Sequence, residues 1–189
     1  MADRKIILPP ALGSYVTIFT PRASEEGKEP KFSISLLWDK EDGKTPKSLA
    51  ALNKIVEEVA IQKFGPKAPQ MLATGKLRHP LRDGDIDRPD DKVYAGKVFA
   101  SASATKDRQP GVVDAKVQPI IEEAEAYSGC TFRASVAVYP YDKSGNKGVA
   151  LGLGNLQVVK KGARIDGRKS AEDEFAGFAE AADDLADIA

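Results

Sequence analysis

Between Tyr127 and Lys161 the chain carries two long runs of strand character separated by one cluster of turn residues, and that pattern restricts the folds open to it. In the first run, Phe132, Ala134, Val136 and Val138 alternate with Thr131, Arg133, Ser135, Ala137 and Tyr139. Period-two alternation of this kind marks a half-buried strand. The second run, Val149 to Lys160, follows a segment from Pro140 to Gly148 rich in Pro, Gly, Ser and Asn. A hairpin, or a long β-β loop bearing Lys143 and Lys147, is the simplest connection. The polar face of the first run offers an arginine, small residues and a tyrosine, which suits approach to something flat and negatively charged.

The rest of the chain reads as mainly β with added helices. Met1 to Ser14 is an arm, Tyr15 to Thr20 a first strand, and Arg22 to Pro30 a charged loop. Lys31 to Trp38 is a second strand, with Phe32, Ile34, Leu36 and Trp38 on one face and Ser33, Ser35 and Leu37 on the other. A helix is expected after Thr45, with Pro46 at its first position and Gly65-Pro66 closing it; Leu49, Leu52, Ile55, Val56, Val59 and Phe64 form its buried stripe. Ala68 to Pro89 reads as a long surface excursion. Val93 to Ser103 returns to strand, placing Val98, Ala100 and Ala102 opposite Lys97, Phe99, Ser101 and Ser103. Lys106 to Val113 is a loop, and Ile120 to Ala126 a short helix or turn.

Charge is unevenly distributed. Lys and Arg together number 28, as do Asp and Glu, yet seven of the acids and none of the bases lie between Ala171 and Ala189. Residues 1–170 therefore carry a formal +7, an asymmetry that points to an anionic partner for the body. One cysteine, Cys130, excludes an internal disulfide, and with a single histidine, His79, the chain has too few soft ligands for an ordinary zinc site. No apolar run approaches the roughly 18 residues of a membrane span, and Ile6 to Leu8 is too short for the core of a signal peptide. The expected setting is a reducing cytoplasm, with no membrane partner.

Catalytic templates mostly fail. Asp83-Gly84-Asp85-Ile86-Asp87 opens like a calcium loop but has Arg88 where glycine is needed and Tyr94 where a bidentate glutamate is needed. A Mg²⁺-dependent nuclease built on Asp83, Asp85 and Asp87 stays open as an alternative, although no second acidic cluster in the body completes a two-metal site. Gly152 and Gly154 lack a third glycine or a Gly-Lys-Ser/Thr, and they read as a bend or bulge in a strand. His79, in a loop before Pro80, and Cys130, with no base nearby in sequence, read as structural.

The positive pattern is basic side chains interleaved with aromatics on strands. Single-stranded nucleic acid needs this combination, because phosphates are met by Lys and Arg while unstacked bases gain about 1–3 kcal/mol each on an aromatic face. The candidate stacking residues are Trp38, Tyr94, Phe99 and Tyr139, and Trp38 competes with burial beside Phe32 and Ile34. Lys97 and Arg133 share outer faces, and Lys76, Arg78, Arg82, Lys106 and Arg108 lie on flanking loops.

The segments Asp83-Gly84-Asp85, Gly96 to Ser103, Gln109 to Asp114, Tyr127 to Cys130 and Gly148 to Gly162 resemble, in order and spacing, a family of tailed-bacteriophage single-stranded DNA-binding proteins. The resemblance covers Tyr15 to Gly167 and implies an OB fold, a five-stranded Greek-key barrel with long loops. It implies a non-enzymatic protein without cofactor or metal that coats single strands during phage replication and recombination, in the host cytoplasm, without strong sequence preference. Self-association along the DNA is compatible with that role. Lys97 and Phe99 fall inside the matching segments, and Tyr94 and Arg133 lie within the span that the resemblance covers.

Two parts are expected: an OB-fold body over 1–169 and an acidic tail over 170–189. Ser170 is placed to cap a helix whose face carries Phe175, Phe178, Ala182 and Leu185. Together with Asp173, Asp183 and Asp184 these aromatic and apolar residues would engage replication or recombination proteins. A third reading makes this acidic helix the functional part of a protein-interaction module. Removal of residues 171–189 is expected to tighten DNA binding, most visibly at low salt, when affinities of the truncated and full chains are compared by titration; equal affinities at every salt would contradict competition by the tail.

Overall fold

The computed structural model describes residues 4–179. Its strands are β1 (Lys5–Ile7), β2 (Ala11–Arg22), β3 (Lys31–Asp39), β4 (Leu81–Asp83), β5 (Lys97–Thr105), β6 (Val112–Val113), β7 (Thr131–Lys143) and β8 (Asn146–Lys160). The helices are α1 (Ala50–Phe64), α2 (Ala68–Ala73), α3 (Gly84–Asp87) and α4 (Ala171–Phe175). The class is thus mainly β with some helices. Strands pair in the order β1-β7-β2-β3-β5-β8-β6, with β4 added beside β5 and a further pairing of β7 with β8. Pairings are antiparallel except for β5–β8 and β6–β8, which are parallel.

The hairpin expected from the alternating runs is formed by β7 and β8. Ser144 and Gly145 both have positive φ, 50° and 84°, between paired Lys143 and Asn146. A two-residue turn of that hand matches the twist of the flanking strands. The register slips between Ala134 and Val136, where the Asn155 amide donates to Ser135 Oγ at 2.8 Å. A side chain at Gly154 would collide with Ser135 there, which accounts for a glycine at the bulge.

Alternation then decides the core. Phe132, Ala134, Val136 and Val138 of β7 meet Leu151, Leu153, Leu156 and Val158 of β8, and Phe32, Ile34, Leu36 and Trp38 of β3 complete one buried cluster. Helix α1 packs against β7 and β8 through Leu52, Val56 and Val59. A 3-10 turn over Lys47–Leu49 leads from Pro46 into it, and Gly65, at φ 88°, ends it.

Two expectations need correction. The N-terminal arm is not free: Lys5–Ile7 pairs with β7, Leu8 is buried, and β2 already begins at Ala11. The stretch from Ala68 to Pro89 is not a surface excursion, since Ala68, Leu72 and Leu77 are buried and β4 pairs with β5. Its buried apolar residues are too sparse to show a period, yet Ala68, Leu72 and Leu77 hold the stretch to the body.

His79 lies in this stretch, and its Nδ1 accepts a hydrogen bond from the Leu81 amide at 3.0 Å. Burial holds its pKa below the ordinary value of 6.5. The unfolded chain therefore takes up the proton first, so stability is intact above pH 6.5 and declines below it until folded His79 is also protonated. Replacing His79 by Asn is expected to flatten the fall in Tm between about pH 7 and pH 5.5, measured against the parent by thermal unfolding; an unchanged slope would place the titrating group elsewhere.

Candidate nucleic-acid interface

In antiparallel pairs, directly opposed residues project from the same face. Strand β3 therefore aligns its outward residues with those of β2 and β5. Leu12, Leu37 and Phe99 form one row, extended by Arg82 of β4. Ser14, Ser35 and Ser101 form the next. Thr17, Ser33 and Ser103 follow, with Gly152 of β8 beside Ser103. Arg22, Lys31 and Thr105 close the face. The hydroxyls bond across strands, Thr17 Oγ1 to Ser33 Oγ at 2.9 Å and Ser35 Oγ to Ser101 Oγ at 3.0 Å. The result is a low polar floor bounded at each end by cations, the Leu37 and Lys31 rows lying about 20 Å apart at the ordinary rise of a strand.

At the upper rim arginines lie on aromatic rings. The Arg82 guanidinium is 4.5 Å from the centre of Phe99, and that of Arg88 is 5.5 Å from the centres of both Tyr15 and Tyr94. Tyr94 meets Phe99 edge-on at 4.9 Å, and its centre is 6.4 Å from Tyr15. Tyr15 is 55% exposed and has a φ of 47°, inside a register shift of β2 between Ser14 and Thr17. A positive φ is costly for a bulky residue, and such positions concentrate at functional sites.

The rim is held from beneath. Lys40 Nζ lies 2.7 Å from both Asp83 Oδ1 and Asp85 Oδ2. Asp83 Oδ1 also accepts from the Asp85 amide, and Asp85 Oδ1 accepts from the Gly96 amide at 2.9 Å. These bonds to Lys40 and Gly96 keep the Asp85 carboxyl below its usual pKa, and the two carboxylates raise that of Lys40. A Cβ on Gly84 would collide with the Tyr94 carbonyl, so α3 sits tight against the turn carrying Tyr94 and brings Arg88, its C-cap, over the rings. The ammonium of Lys40 thus fills the space between two of the three carboxylates that a Mg²⁺ site would use.

Burial removes three of the expected stacking faces, and the other candidates differ in exposure and pairing. Trp38 is in the main core, its Nε1 donating to the Pro9 carbonyl at 3.2 Å. Tyr94 and Phe99 are both fully buried in a second small cluster with Leu37, flanked by Leu12 and Val93. Phe99 does face outward from β5, but these neighbours and Arg82 cover it, so neither ring offers a free stacking face in this state. Tyr139 is exposed, on the outer side of β7. Lys97 pairs with Asp39, and Lys106 with Glu29 at 3.2 Å. Arg133 is half-buried and donates to Gln157 Oε1 at 2.7 Å, which makes it a strand-pairing residue.

The loop cations divide by position. Lys106 and Arg108 follow β5 at its Lys31 end, whereas Lys76 precedes Arg78, whose backbone pairs with Lys147 and Val149. Tyr15, Arg88, Arg22, Lys31 and the hydroxyl rows were not singled out by alternation. Tyr15 reads only as the start of a strand, and Arg88 reads locally as a failed calcium loop.

Past the sheet, Ser170 caps α4 by accepting from the Asp173 amide at 3.1 Å. Phe175 and Phe178 are exposed, with ring centres 6.5 Å apart. Asp183, Asp184 and Leu185 lie outside the described residues. Among the described residues, no helix is long and apolar enough to cross a membrane.

Known proteins match this architecture. Protein p50 of Acyrthosiphon pisum secondary endosymbiont phage 1 is 34% identical over 117 residues, a match spanning 59% of this chain and 61% of that relative. The single-stranded DNA-binding protein of bacteriophage Enc34, solved in complex with ssDNA, superposes with a TM-score of 0.71 at 22% identity, over 87% of this chain and 90% of that one. Gp2.5, a single-stranded DNA-binding protein of bacteriophage T7, gives 0.58 at 14% identity over 93% and 94%. The family model described as the ssDNA-binding protein of Enterobacter phage Enc34 matches residues 4–186. By that match the chain belongs to the Enc34 ssDNA-binding protein family.

Proposed function

We propose that this protein binds single-stranded DNA across the outer face of β2, β3 and β5 and coats it without strong sequence preference. The observation that carries the proposal is the floor of short hydroxyl side chains between two basic rims, in a chain of this family. Short residues let a polymer lie close to the sheet. Arg82 and Arg88 at one end and Arg22, Lys31, Lys106 and Arg108 at the other supply phosphate partners, and exposed Tyr15 supplies a stacking face. Nothing on this face selects a base by itself, consistent with coating.

We assign the body, residues 1–169, to an OB barrel of β2, β3, β5, β7 and β8. The pairing order and the parallel β5–β8 contact support it. The setting is phage DNA replication and recombination in the cytoplasm of an infected bacterium, with no catalytic step and with neighbouring molecules meeting along the strand. Residues 170–189 form the acidic tail, and exposed Phe175 and Phe178 are its contacts to replication or recombination partners.

The test is titration of labelled oligo-dT and matched duplex DNA over a range of salt. Tight binding of single strands, weak binding of duplex and a negative log-log slope of about 0.7 per phosphate are expected. Tyr15→Ala should lose about 1–3 kcal/mol at every salt with the slope unchanged, whereas Arg22→Ala should reduce the slope by about one contact. Failure to bind either DNA at low salt, even without the tail, would overturn the reading.

A further inference from the structure

The Tyr94 hydroxyl is the one buried side-chain polar atom among the described residues that has no hydrogen-bond partner. The residue is 0% exposed, and its ring is enclosed by Phe99 edge-on, Tyr15 at 6.4 Å and the Arg88 guanidinium at 5.5 Å. An orphaned buried hydroxyl destabilises the state that contains it. A partner supplied in another state of the molecule is one reason for keeping it. The groups against its ring are lightly held: Arg88 is an exposed side chain held by ring contacts, and Tyr15, whose hydroxyl donates to Asp91 Oδ2 at 3.4 Å, is an exposed ring on a strained backbone. A guanidinium lying on aromatic faces is a flat cation, and a phosphate is a better partner for it than two rings.

We propose that Tyr15, Tyr94 and Arg88 form a nucleobase seat: Arg88 swings to the DNA backbone, an unstacked base enters against Tyr15, and the Tyr94 hydroxyl donates to a carbonyl oxygen or ring nitrogen on that base. The proposal rests on the single-stranded DNA reading and deepens it. It also gives the buried aromatic of this rim a function that a fixed hydrophobic cluster would not need. The clamp of Lys40, Asp83 and Asp85 keeps the seat in place while Arg88 moves, because it fixes α3 and the Gly96 end of the turn and leaves the guanidinium itself unbonded to either carboxylate.

Tyr94→Phe tests this, since it removes only the hydroxyl and preserves the ring. In the free protein the orphan disappears, so Tm should rise by about 2–4 °C. In the complex a hydrogen bond is lost, so the Kd for oligo-dT should weaken about three- to tenfold. A purely structural tyrosine would not move the two readouts in opposite senses. An abasic oligonucleotide of the same length separates base from backbone, because parent and variant should then bind alike. A lower Tm for the variant, or equal affinity for oligo-dT, would overturn the seat, and a loss that persists on the abasic strand would assign the hydroxyl to the sugar-phosphate backbone instead. If the parent protein itself fails to bind oligo-dT, the DNA reading falls and the seat with it; a parent that binds alongside an unaffected variant removes the seat alone.

Discussion

The pairing of β3 with β5 is the constraint on which the rest depends. Nine consecutive antiparallel pairs, from Lys31↔Thr105 to Asp39↔Lys97, run without a register shift. Slipping that register by one residue would exchange the two faces of one strand. It would put Ser33, Ser35 and Leu37 into the space filled by Phe32, Ile34 and Leu36, and would turn the apolar set outward. The same register places serine opposite serine and Leu37 opposite Phe99, so a single pairing sets both the core and the graded outer face.

Along that face, the polar floor and the aromatic rim are built by different means. The floor is local to the sheet and its hydroxyls satisfy one another across strands. The rim depends on the long insertion between β3 and β5, which brings β4, α3 and the turn at Tyr94 back over Phe99. Lys40 joins the end of β3 to Asp83 and Asp85 of that insertion, and Gly84 allows the close approach. The capture proposed for the basic rims and the stacking proposed for Tyr15 are thus separable parts of one surface, and Lys40 ties the insertion to β3 through Asp83 and Asp85.

Most of the fold was legible in the sequence, and the reasons are local. Phe32, Ile34, Leu36 and Trp38 alternate cleanly, Pro46 and Gly65 bracket the helical segment, and the Ser144-Gly145 turn joins two long strands. The interface was legible only in part. Alternation correctly put Phe99 on the outer face, but its cover comes from Arg82, Leu12 and Val93, distant in sequence. The partners of Lys97 and Arg133, Asp39 and Gln157, are likewise fixed by strand register and not by local pattern. Tyr15 reads only as the start of a strand, because the groups that mark it, Arg88 and Tyr94 against its ring, are distant in sequence.

Photocrosslinking distinguishes the outer face of β2, β3 and β5 from the rest of the surface as the proposed DNA track. An oligo-dT substituted with 5-iododeoxyuridine, irradiated in complex with the full chain and mapped by mass spectrometry, should attach at Tyr15 and the turn carrying Tyr94, with no adducts on α1. Adducts concentrated on α1 or on β1, with Tyr15 untouched, would place the DNA elsewhere and contradict the account.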